Sequence, residues 1–218
     1  VDDELFHFPS GTRARVRGLR VQDQLADTAR EGDRAALNLT GLDAVAPARG
    51  DWVAAAPDVG HRHLVVELSV LDDFPRVIRP WLPVHVYHAS SHTTARLALL
   101  ERTDDGAGTR LADLDCADPL FAKHGDRIVI RDQGLDRTLG GGRVIDNRTR
   151  PRRRFAPARL AAIRALTATE PAASLAALLD QEAVPLDDFR RVWDLAPADL
   201  AALCASLPAT RRGDWLVR

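Results

Sequence analysis

The sequence is poor in several residue types, and each shortage narrows what the chain can be. It has no Met, its only Lys is Lys123, and its two Cys are Cys116 and Cys204. Two widely separated Cys without metal-ligand spacing predict neither a disulfide framework nor secretion, and we expect both to be buried. No apolar run approaches the roughly 18 residues of a membrane span, so we expect a cytoplasmic protein without membrane contact.

The chain also lacks an excess of charge of either sign. Its 218 residues carry a formal net charge of −1, so any contact with nucleic acid must come from local basic patches. A chain of this length is long enough for two compact domains. Because it begins at Val1 without a Met, we interpret it as a segment of a longer protein.

Short alternating runs separated by turns dominate residues 1–146, and this period-two pattern predicts half-buried antiparallel strands. Gly-Asp precedes a strand three times, at Gly32, Gly50 and Gly125, where glycine would supply the positive φ of a tight turn. Pro57 and Gly60 interrupt the pattern before a new apolar run at Leu64. We therefore predict a first β unit at 1–59 and a second at 60–147, both of the barrel type.

A period of 3.6 residues replaces the period of two after an Arg-rich stretch at 148–154. The apolar positions predict four helices, followed by a hairpin strand at Arg212-Gly-Asp-Trp-Leu-Val. Helices closed by a small hairpin are the order of a winged-helix domain. The predicted fold class is therefore mainly β plus α, with antiparallel β-barrels followed by a linker and winged-helix domain at 148–218. The apolar residues of the four helices are Leu160, Ile163 and Leu166; Leu175, Leu178 and Leu179; Phe189, Val192 and Trp193; and Leu200, Leu203 and Leu207.

Five short stretches of the chain form one recognisable set: Glu31-Gly-Asp-Arg-Ala-Ala-Leu, Ala48-Arg-Gly-Asp-Trp-Val, the His-rich stretch Leu82-Pro-Val-His-Val-Tyr-His, Ile130-Arg-Asp, and Arg137-Thr-Leu-Gly-Gly-Gly-Arg-Val. Together they resemble the selenocysteine-specific elongation factors. General aminoacyl-tRNA carriers have a neutral Asn-Val-Gly where this chain has Arg34-Ala-Ala. The resemblance covers the full chain and implies barrels of the translational-GTPase type, namely the end of domain II, domain III and the first winged-helix unit.

The resemblance implies a part of an elongation factor that carries selenocysteinyl-tRNA to the ribosome for UGA decoding. Domains II and III would bind the aminoacyl-tRNA, and more distal winged helices would bind the mRNA hairpin. We predict no enzymatic activity and no cofactor in this segment, because its sequence has no phosphate loop. GTP and Mg would belong to a G domain upstream in the parent protein.

Arg34 is the candidate selenocysteine-binding residue. Alternation would place Ala35, Leu37 and Leu39 toward the core and Arg34 on the opposite face. A solvated Arg on a strand is the alternative interpretation. In the functional interpretation, the guanidinium favours the selenolate of selenocysteine, which is ionised at neutral pH, over the neutral hydroxyl of serine.

The His-rich stretch and the closing hairpin supply the possible tRNA contacts. A zinc site is disfavoured, because His85 and His88 are three apart and point to opposite faces of a strand. His88, Ser91 and His92 are expected at a strand end and loop, either as polar packing or as contacts to the tRNA backbone. The full set of possible tRNA contacts is His88, Ser91, His92, Arg96, Arg131, Arg137, Thr138, Arg152, Arg153 and Arg154.

Two other motifs each allow a structural interpretation as well as a functional one. Gly140-Gly-Gly-Arg lacks the Gly-Lys-Ser/Thr ending of a phosphate loop and predicts a bulged or closely packed strand. The Arg run around Pro151 is either a solvated linker or a contact to RNA phosphates.

The helical region disfavours a winged helix that reads DNA. Residues 155–218 contain seven Arg against eight Asp and Glu, and the fourth predicted helix, from Ala198, carries no cation. We therefore predict a spacer or interaction module. Two alternatives stay open, namely a segment of another translational GTPase of the general elongation factor type, and a winged-helix DNA-binding regulator.

Overall fold

The computed structural model describes residues 1–42, 44, 46–57, 60–75, 77–100, 109–147 and 155–218. Two compact units divide the chain at residues 60 and 61. The first unit contains the strands β1 (Glu4–Phe8), β2 (Arg13–Val21), β3 (Gln24–Ala26), β4 (Ala35–Thr40) and β5 (Trp52–Ala54).

The second unit begins with six strands and continues with helices and short strands. The six strands are β6 (His61–Val70), β7 (Leu82–His88), β8 (Ser91–Leu99), β9 (Thr109–Leu120), β10 (Arg127–Asp132) and β11 (Arg137–Asp146). The remaining elements are α1 (Pro157–Leu166), α2 (Pro171–Leu179), β12 (Val184–Pro185), α3 (Leu186–Val192), α4 (Pro197–Ser206), β13 (Thr210–Arg212) and β14 (Trp215–Val217).

In the first unit, β2 is the central strand. β1 and β3 pair with different parts of one edge of β2, and β4 pairs with its other edge. β5 pairs with β1. Ala14, Val16 and Leu19 of β2 are buried. The predicted core-facing set in β4 is wrong, because Leu37 is 39% exposed and no residue of β4 is fully buried. The reason is that β4 is an edge strand, paired only with β2 among the described residues.

In the second unit, the six strands close into an antiparallel barrel in the order β10-β11-β6-β9-β8-β7. The inward side chains form one buried core. Its fully buried members include Leu64, Val84, Leu97, Leu114 and Ile130. The predicted fold class, antiparallel barrel strands followed by a helical winged-helix region, is confirmed. The alternation in β7, where every second residue is buried, is the pattern that the sequence predicted.

The glycines of β11 pack as closely as the sequence predicted. A Cβ added at Gly140 would lie 2.1 Å from the backbone oxygen of Ser69, and one at Gly142 would lie 2.0 Å from that of Glu67. The same run lies in a strand ladder between β10 and β6, with a register shift at Ile130 and Arg131. The backbone amides of the ladder bind neighbouring strands, so the run is a structural feature of the barrel wall.

One side of the barrel wall is covered by the helices. The outward residues Val65, Leu111 and Ile145 form an apolar cluster with helical residues Ile163 and Leu166. This packing explains why β6 has four consecutive buried residues, since both of its faces are covered.

Polar and aromatic contacts reinforce this junction between the barrel and the helices. Arg159 of α1 donates to Asp113 of β9 at 2.8 Å, and Nε2 of His63 lies 3.2 Å from the same carboxylate. Asp113 is 1% exposed. Burial alone would raise its pKa, but the hydrogen bonds and charges of His63 and Arg159 outweigh burial and lower the pKa below 3.8. The rings of His124 and Trp193 stand 3.9 Å apart at the same junction.

The helical region has its own core and a three-stranded sheet in the order β12-β14-β13. Leu175, Phe189, Leu200 and Leu216 are buried together. Three of the helices begin with Pro at the first or second position, where the missing N–H costs no helical hydrogen bond. In the described part of the chain, no helix is long and apolar enough to cross a membrane.

The two cysteines differ in burial. Cys116 is buried in the barrel core, and burial raises its pKa to about 12. Cys204 is only half-buried, so the prediction that both are buried is right for Cys116 alone. The reason is that α4 exposes most of its residues and buries only Leu200 fully.

Candidate functional site

The candidate site is the side of the barrel that the helices leave bare. Strands β8, β7, β10 and β11 are neighbours there, and their outward residues form two rows across the sheet. In each row, residues directly opposite one another share a face and lie close together. One row is His92, Tyr87, Val129 and Gly141, and the other is Thr94, His85, Arg131 and Thr138.

Stacked rings form the centre of this surface, which we call the barrel face. The Tyr87 and His92 rings are stacked, with centroids 5.6 Å apart and an interplanar angle of 16°. His85 is tilted against Tyr87 at 6.5 Å. His92 is exposed, and Val129 beside Tyr87 is 47% exposed. The result is a solvent-facing aromatic surface rather than a core cluster.

Arginines flank the rings. Arg96, opposite Pro83 at the end of β7, is exposed and has no ion-pair partner among the described residues. Arg131 is held in place by Asp136, whose carboxylate and backbone oxygen accept bonds of 3.0 and 2.8 Å. Arg137 forms an ion pair with Asp73. Arg96 therefore has the charge that is most available to a ligand.

The structure brings four of the predicted tRNA contacts together on the barrel face: His92, Arg96, Arg131 and Thr138. Sequence reasoning missed Tyr87 and His85 as members of the same surface. The signal was present, because strict alternation in Val84-His-Val-Tyr puts both on the face opposite the buried Val84 and Val86.

His88 does not belong to this surface, and its assignment as a tRNA contact is corrected. It is 3% exposed, and its Nε2 lies 3.0 Å from Oδ2 of Asp126. Burial would raise the pKa of Asp126, but the bonds from His88 and from the Lys123 backbone N–H lower it below 3.8. Polar packing, the alternative interpretation from the sequence, therefore describes His88. Ser91 lies directly opposite His88, in the last residue pair before the turn between β7 and β8.

The histidines do not gather around a metal position. His85 is half-exposed on the outer face, whereas His88 is buried, as their spacing of three predicted. Among the described residues, no group of three or more His, Cys, Asp or Glu is arranged to hold a metal ion.

Arg34 lies just before β4 in the first unit and points into solvent. Its side chain is 83% exposed and meets Asp23, itself 85% exposed, at 3.4 Å. An exposed pair of this kind contributes little stability, so the guanidinium is free to exchange Asp23 for another anion. Arg152, Arg153 and Arg154 lie outside the described residues.

Comparison of the sequence with known proteins identifies the family of the barrel and of the chain. Residues 63–151 match the model of the beta-barrel domain of selenocysteine-specific elongation factors. The selenocysteine-specific elongation factor of Escherichia coli is 35% identical over 192 residues, which are 87% of this chain and 30% of that protein. The factor of Haemophilus influenzae is 28% identical over 218 residues, which are 99% of this chain and 35% of that protein. The chain thus spans about a third of the length of these relatives.

Solved structures agree on the fold. A crystal structure of a bacterial selenocysteine-specific elongation factor aligns over 100% of this chain and 34% of its own, with a TM-score of 0.74 and 19% identity. The apo elongation factor SelB of Methanococcus maripaludis aligns over 68% of this chain and 37% of its own, with a TM-score of 0.60 and 20% identity. The sequence matches show that the chain belongs to the selenocysteine-specific elongation factor family, and its residues 63–151 match that family's β-barrel domain.

Proposed function

We propose that this chain is the tRNA-carrying part of a translation elongation factor that delivers selenocysteinyl-tRNA to the ribosome for UGA decoding. Family membership supports the general role. In this proposal, residues 1–59 contribute the end of domain II, 60–147 form domain III, and 148–218 form the linker and first winged helix. GTP hydrolysis, with its Mg ion, belongs to the parent protein outside this chain, and so does binding of the mRNA hairpin.

The observation that carries the proposal is the barrel face. Stacked rings with flanking guanidinium groups combine a flat contact surface with charges that neutralise phosphates, the two features that RNA-binding surfaces share. Tyr87 and His92 supply the rings, while Arg96 and Arg131 supply the charge. Within this unit, the described helices cover the opposite side of the barrel, and they leave the outward residues of the barrel face exposed to solvent.

The proposed role of Arg34 is selection of the aminoacyl group. Its exposed guanidinium is paired only weakly with Asp23, and a selenolate would compete with that carboxylate for the same charge. Seryl-tRNA offers no such anion, so the cation would favour the selenocysteinyl form of the same tRNA.

Binding of tRNA tests the proposal directly. We expect Arg96→Ala to weaken binding and to reduce the slope of log affinity against log salt by about 0.9, the value for one duplex phosphate contact. Tyr87→Ala should weaken binding severalfold with little change in that slope, because the ring contributes packing and not charge. Affinity is measured by filter binding over a range of salt concentrations.

A control arginine lies on the far side of the barrel. Arg62 is exposed on β6, which is three strands away from β7 in the closed order. Arg62→Ala removes the same charge and should leave both the affinity and the salt slope nearly unchanged. An equal loss in Arg62→Ala and Arg96→Ala would contradict the assignment of the barrel face. Tighter binding to duplex DNA than to tRNA in a gel-shift assay would favour the alternative of a DNA-binding regulator.

A further inference from the structure

The hairpin that closes the helical region has a second surface with binding chemistry. β14 is the central strand of the sheet β12-β14-β13, and Trp215 lies opposite Arg212 on one side and Pro185 on the other. Directly opposed residues share a face of an antiparallel sheet. Trp215, Arg212 and Pro185 therefore form a continuous strip, which we call the wing face.

The wing face points away from the helices. Leu216, next to Trp215, is 1% exposed and belongs to the core of the helical region, so alternation turns Trp215 to the other side. Trp215 is 49% exposed. Arg212 is exposed and has no acidic partner among the described residues. A large ring and an uncompensated cation thus share one solvent-facing strip.

The hairpin carries a net positive charge, unlike the helix that precedes it. α4 carries only Asp199, whereas residues 210–218 carry three Arg and one Asp, a net charge of +2. Arg218 pairs with Asp180, and Nε of Arg211 donates to the backbone oxygen of Gly213 at 3.0 Å. Arg212 is therefore the cation with both exposure and an adjacent ring.

We propose that the wing face is a second RNA-binding site, which takes an unpaired stretch of RNA. One base stacks on the Trp215 indole, and the phosphate beside it pairs with Arg212. An unpaired stretch is favoured because bases within a duplex already stack on their neighbours and do not offer a free face to an indole ring. This site is separate from the barrel face and does not depend on the tRNA-carrying function.

The test uses fluorescence anisotropy of a labelled, mixed-sequence single-stranded RNA of about 12 nucleotides, within the usual range of such sites. We expect Trp215→Ala to weaken binding about tenfold, the effect of losing one stacked base. Trp215→Phe should recover part of the loss, because a smaller ring still stacks. Arg212→Ala should weaken binding and lower the salt slope by about 0.7, the value for one single-strand phosphate.

Arg211→Ala is the matched control for charge. Arg211 is the neighbouring residue with the same charge, but it lies opposite Leu216 and hence on the other face of the hairpin. Its removal should leave the affinity nearly unchanged. An equal loss in Arg211→Ala and Arg212→Ala would mean that only general charge attracts RNA, and the site would be wrong.

Two further outcomes decide the proposal. An unchanged RNA affinity in folded Trp215→Ala would assign the exposed ring to a protein contact and overturn the site. The effect of Trp215→Ala should persist in a Tyr87→Ala background, since the two surfaces are independent. If instead the effect disappears in that background, the RNA binds the barrel face alone and the wing site is wrong.

Discussion

At the scale of single residues, the chemistry of this chain depends on which face of a strand each side chain occupies. His88 and His92 are four residues apart, yet His88 is buried against Asp126 while His92 is exposed and stacked on Tyr87. The turn between β7 and β8 separates them, so their burial differs although their residue type does not. The set of residues proposed to bind tRNA on the barrel face is therefore defined by strand register.

Arg34 is predicted to select the aminoacyl group, and this prediction rests on the proposed function. In the full-length parent protein, Arg34→Ala should weaken binding of selenocysteinyl-tRNA and leave seryl-tRNA binding nearly unchanged, because only the selenolate is charged. Arg34→Lys should recover part of the preference, since it keeps the charge but loses the planar fork. The measurement is a pair of dissociation constants, one for each aminoacyl group on the same tRNA.

Asp23 provides the control for Arg34. It is the acid that meets Arg34 at 3.4 Å, so Asp23→Asn removes the competing anion without touching the guanidinium. The preference for selenocysteinyl-tRNA should be kept or increased in this variant. Equal losses for both aminoacyl-tRNAs in Arg34→Ala would show that Arg34 supports the fold or the tRNA body, and the pocket assignment would be abandoned.

At the scale of elements, the outer wall of the barrel has two different sides. Strands β6, β9 and the Ile145 end of β11 are covered by α1 and α3, through Val65, Leu111 and Ile145. Strands β7, β8 and β10 leave their outer residues in solvent. The ion pair of buried Asp113 and half-buried Arg159 lies on the covered side, at the contact between β9 and α1.

Asp113 gives a prediction with a defined pH window. Asp113→Asn should lower the free energy of unfolding at pH 7 by about 3 kcal/mol, because Arg159 and His63 lose the charge of the buried carboxylate that they contact. The pKa of Asp113 is lower in the folded chain than its ordinary 3.8, so its stabilising effect is fully present above that ordinary value. The effect is lost as the pH falls through the folded pKa.

Urea unfolding at pH 7 and at a series of pH values that descends well below 3.8 tests this window. The difference between the wild type and Asp113→Asn should be large at pH 7 and should close at the acidic end. Asp187→Asn is the control, since Asp187 forms an exposed pair with Arg191 and should cost at most about 1 kcal/mol. A difference that stays constant across the pH range would mean that packing, and not the carboxylate charge, holds β9 to α1.

Sequence reasoning predicted the elements better than their surroundings. The alternation in β7 and the apolar spacing around Ile163 were sufficient to predict a strand and a helix, because those patterns are local. The exposure of Leu37 and the burial of His88 were not predictable from spacing alone, since each depends on which distant strand lies alongside. Cys204 was mispredicted for the same reason, because burial of α4 depends on its packing partners.

At the scale of the whole molecule, the chain is nearly neutral and its cations act locally. The net charge is −1, and the barrel face and the wing face each combine an exposed Arg with aromatic side chains on one face of a sheet. The winged-helix order of helices and hairpin was readable from the change of period after residue 154, but only the strand register shows that Arg212 and Trp215 lie opposite each other.

The whole-molecule prediction concerns nucleotide binding. The chain should bind neither GTP nor its analogues, because a triphosphate site needs a loop of free backbone amides followed by Lys and Ser or Thr. The glycine-rich run at Gly140 is committed to pairing with β6 and β10. Calorimetry with a non-hydrolysable GTP analogue and Mg should give no heat above dilution. Binding in the micromolar range would contradict the division of labour proposed for the parent protein.

The glycines of β11 have a consequence for how this gene can change. Every single-base change in a glycine codon that alters the residue adds at least a Cβ or ends the chain. At Gly140 and Gly142 that atom would enter the space held by the backbone oxygens of Ser69 and Glu67. Neither residue can then be replaced without displacing β11 from β6, so only changes that keep glycine are tolerated at two positions that carry no side chain to bind or react.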